Sequence, residues 1–154
     1  GALYQALLDL SDWVERGIEP ASSSHYDMDG GQVLIKESAL ERKGIQAVVS
    51  MTVDGKTRKN ISVGETVKFD VEVELPEGSG DVELMLWDFE GSDEFLPAGR
   101  IVETEGNIVR IENSHTFKSL GTHFPVVKVA TNKTVGDEFT RIYNQDRVRV
   151  IVEG

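Results

Sequence analysis

The segment from Val67 to Leu75 alternates apolar and charged side chains without a break. Successive side chains of a β-strand point to opposite faces, so this pattern predicts a strand with one face in a core and the other in water. Shorter segments of similar character follow, separated by turn residues. They are Val82–Phe89, Arg100–Glu103, Asn107–Glu112, His123–Thr131 and Arg147–Val152. Several short strands with turns between them predict a mainly β chain, of the β-sandwich type.

A different period marks the N-terminal segment from Ala2 to Arg16. Its apolar residues recur at helical spacing and form one stripe: Leu3, Leu7, Leu10 and Val14. Such a stripe predicts an amphipathic helix, which Gly17 and Pro20 then end. We expect this apolar side, with Trp13 on it, to be buried against another surface.

The pattern divides the chain into three parts. Residues 1–18 form the helix, residues 19–44 a long connector, and residues 45–154 the sandwich. The connector has turn residues, a possible short strand at Val33–Ile35 and a possible helical turn at Ser38–Lys43. We expect the segment Asn132–Asp146 to be a long polar loop. The side chains of Phe139, Ile142 and Tyr143 are expected to be buried against the body and to anchor this loop.

Composition excludes several kinds of partner. The chain has 154 residues with 27 acidic against 16 basic side chains, a net charge of −11, so nucleic acid is disfavoured. No segment is long enough for membrane insertion, and cysteine is absent. The chain opens Gly1-Ala2 without Met, which favours a fragment whose export signal lies upstream.

Three short motifs carry a resemblance to a known family. Trp87-Asp88-Phe89 ends an apolar strand, His115-Thr116-Phe117 follows later, and Gly121 to Val129 begins another strand. Together they resemble the PKD repeat, an immunoglobulin-like β-sandwich found mostly in extracellular proteins. The resemblance covers roughly Ile45 to the C-terminus. It implies a secreted or cell-envelope protein whose module has no active site of its own.

A second resemblance lies in the segment Leu10–Pro20. The ending Asp-Trp-Val-Glu-x-Gly-x-x-Pro is similar to the final helix of α/β-hydrolases of the tannase and feruloyl-esterase group. This implies a hydrolase body before the chain, with every member of its catalytic triad upstream of Gly1. No Gly-x-Ser-x-Gly occurs in the chain itself. We therefore predict no catalytic residue here and a preceding hydrolase domain as the partner.

The loop after Trp87 is the candidate metal site. It carries four carboxylates, Asp88, Glu90, Asp93 and Glu94, which are hard oxygen ligands suited to Ca²⁺. The alternative is that Asp88 caps the loop through backbone N–H groups while the others are solvated. His115 and His123 are predicted to be partly buried structural residues, because two histidines alone make a poor zinc site. Calcium is therefore the cofactor that the sequence suggests.

An apolar patch is the candidate interface. If Met85, Trp87 and Phe89 face the core, four apolar residues point outward from two neighbouring strands: Leu84, Leu86, Phe124 and Val126. Contiguous apolar patches mark interfaces. Three alternatives remain for the surface that covers this patch: the N-terminal helix, the preceding hydrolase body, or a second copy of the chain.

The sequence therefore predicts a non-catalytic accessory domain of a larger secreted or envelope hydrolase. It would mediate domain packing, or contact with another protein or a polymeric substrate. The alternative is an extracellular calcium-binding adhesion module or a carbohydrate-binding module. Sugar-binding faces usually display exposed aromatics, and here both tryptophans are assigned to buried faces, leaving Tyr26 and Tyr143.

Overall fold

A computed structural model describes residues 2–20, 23 and 25–154, without the side chains of Ala2 and Gln5. The chain is mainly β with one long N-terminal helix, as predicted. The helices are α1 (Ala2–Arg16) and α2 (Ala39–Arg42), and Glu138–Thr140 forms a 3-10 turn. The strands are β1 (Tyr26–Asp29), β2 (Gln32–Ile35), β3 (Val48–Val53), β4 (Arg58–Ser62), β5 (Thr66–Glu74), β6 (Asp81–Asp88), β7 (Leu96–Pro97), β8 (Arg100–Glu105), β9 (Ile108–Thr116), β10 (Gly121–His123), β11 (Val126–Asn132), β12 (Ile142–Arg147) and β13 (Arg149–Glu153).

The strands form four sheets. Two antiparallel four-stranded sheets have the orders β3-β5-β9-β8 and β12-β11-β6-β7. A three-stranded sheet has the order β10-β13-β4, in which β13 and β4 run parallel. The fourth sheet is the β1–β2 hairpin in the connector.

The core receives side chains from the three larger sheets. The alternation in β5 puts Phe69, Val71 and Val73 in the buried cluster, as expected for a half-buried strand. Trp87 of β6 is 1% exposed, and its ring lies 5.8 Å from the ring of Phe69 on the other four-stranded sheet. This edge-on aromatic pair joins the two sheets.

Several elements differ from the sequence prediction. Five strands were not predicted, namely β1, β3, β4, β7 and β12, and β12 occupies the end of the segment Asn132–Asp146 that was expected to be a polar loop. In that segment Phe139 and Tyr143 are exposed, so these two side chains do not anchor it by burial. The predicted strand His123–Thr131 is two strands, because Pro125 has no N–H to donate to a ladder.

The predicted helix α1 is present and ends at Gly17, which adopts φ 68°. Its predicted apolar stripe does not face the body of the domain. Leu8, Asp9 and Asp12 are the half-buried residues among the side chains of α1 that the structure describes, whereas Trp13 is 53% exposed. The whole predicted stripe is exposed: Leu3, Leu7, Leu10 and Val14. Neither described helix has the length and hydropathy needed to cross a membrane.

The connector contains the two short elements expected of it. The predicted strand Val33–Ile35 lies in β2, and the predicted turn Ser38–Lys43 contains α2. Ser38 caps α2 by accepting a hydrogen bond from the backbone N–H of Leu40. Every residue of β1 and β2 is exposed, so the hairpin projects from the body and does not pack on it.

Candidate functional site

The acidic loop after β6 is organised by Asp88. One carboxylate oxygen of Asp88 accepts the N–H of Gly91 at 2.8 Å, and the other accepts the N–H of Asp93 at 2.8 Å. The N–H groups of Glu90 and Ser92 also donate to it. Burial raises the pKa of Asp88, but these four donors together outweigh burial and hold the pKa below its ordinary value.

This arrangement matches the loop-capping alternative. Both Asp88 oxygens are already satisfied, and Asp93 and Glu94 are exposed to water. Calcium requires six to eight oxygen ligands converging on one point. Within the described part of the chain, no group of three or more His, Cys, Asp or Glu residues is placed to hold a metal ion. Calcium binding by this loop therefore has no support beyond the sequence pattern.

Glu90 instead lies between two histidines, a cluster that the sequence analysis did not anticipate. One of its oxygens is 2.9 Å from Nε2 of His115, and the other is 3.0 Å from Nδ1 of His123. The His115 ring stacks on Phe89 at 4.3 Å, and both imidazoles contact the ring of Phe117. The three residues belong to different segments, so only the tertiary fold brings them together.

The ring of His123 lies between two acceptor oxygens. Its Nε2 faces the carbonyl oxygen of Ser119 at 3.2 Å, and its Nδ1 faces the Glu90 carboxylate. Both are acceptors, whereas a neutral imidazole offers only one N–H. Among the residues that the structure describes, neither His115 nor His123 is hydrogen-bonded to a side-chain hydroxyl group.

The predicted apolar patch lies on the outer side of the β6–β11 pair. The two strands are neighbours, with Leu86 opposite Lys128 and Leu84 opposite Ala130. Leu84, Leu86 and Val126 are half-buried, and Phe124 is 44% exposed. The patch is not continuous, because Lys128 stands in it with its Nζ 3.9 Å from the ring centroid of Phe95.

Helix α1 does not bury its stripe on this patch. It lies beside the 3-10 turn, where the rings of Tyr4 and Phe139 are 4.9 Å apart. A groove of about 660 Å³ separates residues 9–20 from residues 133–143. Ile18, Phe139 and Tyr143 supply its apolar walls.

The connection that forms the far wall of this groove is fixed by Glu83. Its carboxylate accepts from Arg141 at 3.0 Å and also from Asn132, which is buried. The Arg141 hydrogen bond, followed by that of Asn132, lowers the pKa of Glu83 to about 2. This partly buried ion pair holds the segment between β11 and β12 against β6.

No protein-family model and no curated protein matches the chain. Among solved structures, the crystal structure of Spo0M, a sporulation control protein from Bacillus subtilis, is similar with a TM-score of 0.44 and 15% sequence identity. The match covers 71% of this chain and 50% of that chain. The chain thus spans about half the length of that protein.

Proposed function

We propose that the chain is a non-catalytic accessory domain that packs on the body of a larger secreted or envelope α/β-hydrolase. In this proposal residues 45–154 are a PKD-like, immunoglobulin-like sandwich, and α1 is the last helix of the hydrolase. The observation that carries the proposal is the uncovered apolar side of α1. Leu3, Leu7, Leu10 and Val14 lie along it, and Val14 is 75% exposed.

An amphipathic helix is stable mainly through burial of its apolar face, and isolated helices of this length are marginal in water. Burying four aliphatic side chains contributes on the order of 5–10 kcal/mol before conformational entropy is subtracted. The body of the domain does not supply that burial, since it contacts the opposite side of α1 around Leu8 and Asp12. A preceding domain that covers the stripe would supply it.

The β1–β2 hairpin supports the same proposal. Val33, Leu34 and Ile35 are exposed on it, next in the chain after α1. Both uncovered apolar elements therefore precede residue 45 and lie on the N-terminal side of the predicted domain boundary. That placement favours a partner joined at the N-terminal side over one that docks at a distant face.

The first test is the coding sequence upstream of Gly1. We expect a Gly-x-Ser-x-Gly there, followed by an acidic residue and a histidine. Further β-rich repeats in that position would instead support the adhesion alternative.

In a second test, the upstream domain and this chain are produced as separate polypeptides, and their dissociation constant is measured by calorimetry. A Leu7→Glu/Leu10→Glu variant is expected to lose binding, and Leu40→Glu, an exposed leucine on α2, is the matched control. Equal binding by both variants would refute the docking.

A carbohydrate-binding function is the second candidate, favoured by the exposed aromatics around the groove. Phe139 and Tyr143 line it, and Tyr4 contacts Phe139. Aromatic side chains of this kind stack on sugar rings. Affinity electrophoresis in gels containing xylan, laminarin or hydroxyethyl cellulose tests this function. Retardation that Tyr143→Ala abolishes and Tyr26→Ala does not would favour it over the docking role.

A further inference from the structure

One phenylalanine and three arginines lie together where the outer face of the three-stranded sheet meets the end of β12. We define the Phe124 row as Phe124, Arg147, Arg149 and Arg58. β10 and β13 pair His123 with Val150, and both of these side chains point inward. The following residue, Phe124, and the preceding one, Arg149, therefore share the outer face.

The same alternation brings Arg58 into the row. β13 and β4 pair Arg149 directly with Arg58, and both side chains are exposed. The guanidinium carbons of Arg147 and Arg149 lie 5.7 Å and 6.0 Å from the centroid of the Phe124 ring. Each arginine is thus held beside the aromatic ring or beside another arginine.

The row is a patch of unneutralised positive charge on an acidic protein. In the described residues, no carboxylate lies within salt-bridge distance of Arg58, Arg147 or Arg149. The neighbouring Asp146 is already engaged by the backbone N–H groups of Met51 and Arg147. Like charges directly opposite each other on adjacent strands are unfavourable. With 27 acidic side chains in the chain, a lack of carboxylates does not explain this arrangement.

We infer that the Phe124 row binds a short, extended acidic segment of a partner protein. A guanidinium group recognises a carboxylate through two parallel N–H donors, and it does so better than an ammonium group. Arg149 and Arg58 lie on neighbouring strands about 4.8 Å apart, and alternate side chains of an extended peptide are about 6.6 Å apart. The long arginine side chains can span this difference, so the row suits two or three alternate carboxylates. The half-exposed Phe124 ring offers an apolar contact between them. This site goes beyond the proposed function and is independent of what covers α1.

A short peptide fits the charge distribution better than a long polyanion. Nucleic acid that contacted the row would continue onto the rest of a surface with net charge −11, where its phosphates are repelled. A segment of a few residues stays within the row. The test therefore also measures binding of single-stranded DNA and association with a second copy of the chain.

The test uses the full chain and a fluorescein-labelled peptide, Gly-Glu-Leu-Glu-Leu-Glu-Gly, in a fluorescence anisotropy titration at low salt. The Arg147→Gln/Arg149→Gln variant is expected to bind about tenfold more weakly, because two charge-assisted contacts are lost. Arg58→Gln is a second, milder variant. The matched control is Arg100→Gln, which removes an exposed arginine that is paired with Glu112 elsewhere. A peptide with Gln in place of Glu should not bind.

Any of the following results would overturn the inference. Equal binding of the Glu and Gln peptides, or unchanged affinity in both arginine variants, would show that the row is not the site. Tighter binding of a single-stranded DNA oligonucleotide would favour nucleic acid. A concentration-dependent dimer that the double variant abolishes in sedimentation would assign the row to a second copy. The Leu7→Glu/Leu10→Glu variant should keep peptide binding, so failure here and failure of the hydrolase docking are distinguishable.

Discussion

Glu90 and His123 are joined by a 3.0 Å contact between a carboxylate oxygen and Nδ1, which links the loop after β6 to the end of β10. The second Glu90 oxygen contacts His115, so one side chain connects three segments. His123 is largely buried, and its two ring nitrogens both face acceptors. Glu90 therefore acts as a structural clamp in the loop that was the candidate calcium site.

Replacing Glu90 with Gln is expected to destabilise the fold by about 0.5–1.5 kcal/mol, because an amide cannot accept from both imidazoles. For a chain of this size that corresponds to a fall in Tm of roughly 2–5 °C. Thermal unfolding followed by circular dichroism measures it. The control is Glu94→Gln in the same loop, which removes one negative charge from a side chain that has no described partner. Equal shifts in Tm for the two variants would contradict the clamp.

Asp88→Asn is expected to have a larger effect, about 1.5–3 kcal/mol, because a buried carboxylate that accepts four backbone N–H groups becomes an amide with only one acceptor oxygen. The depressed pKa of Asp88 gives this contribution a pH dependence. It is present above the ordinary pKa of about 3.9 and is lost as pH falls through the lower folded value. Urea unfolding of Asp88→Asn and Asp93→Asn across that range measures the difference. Equal stability of the two variants would show that Asp88 does not hold the loop.

Calcium at about 5 mM is expected to leave the Tm unchanged, as is its removal with EDTA, because the loop does not assemble oxygen ligands. Isothermal titration should show no binding heat. Micromolar binding with a clear rise in Tm would contradict this structure of the loop and revive the adhesion alternative. Mg²⁺ at the same concentration is the control for a general ionic effect.

Glu83→Gln is expected to destabilise the chain at neutral pH, because it removes the ionised partner of Arg141. The pKa of Glu83 is lowered from 4.5 to about 2, so the ionised pair stabilises the fold fully above its ordinary pKa. That contribution declines as pH falls from 4.5 towards 2, and the difference between the variant and the wild type should narrow over the same interval. Urea unfolding at several pH values tests this. Glu105→Gln, at an exposed carboxylate 3.6 Å from Arg110, should show little difference at any pH.

The sequence predicted those elements whose local pattern and tertiary role agree. β5 alternates and is buried on one side, and α1 has a helical period ended by Gly17. β12 was missed because its sequence, Ile-Tyr-Asn-Gln-Asp-Arg, is mostly polar, although its alternate residues are half-buried. Pairing with β11 stabilises it, and pairing is not visible in a single segment.

The candidate sites were predicted less well for the same reason. The sequence placed Asp88, Glu90, Asp93 and Glu94 in one loop, but side-chain direction decided whether they converge. Glu90 turns to histidines that come later in the chain, and no local pattern records that contact. The orientation of α1 could not be read from the sequence either, because the period identifies the apolar side of a helix but not which side meets the body.

The parallel pairing of β4 with β13 has a consequence for the order of folding. Arg58–Ser62 lies early in the chain and Arg149–Glu153 lies near its end, and β13 is the central strand between β4 and β10. During synthesis the three-stranded sheet has no central strand until Glu153 leaves the ribosome. Loop closure over this distance is slow compared with the formation of the local β5–β9 pairing. We therefore expect β4 and β10 to remain unpaired on the nascent chain until β13 has been synthesised.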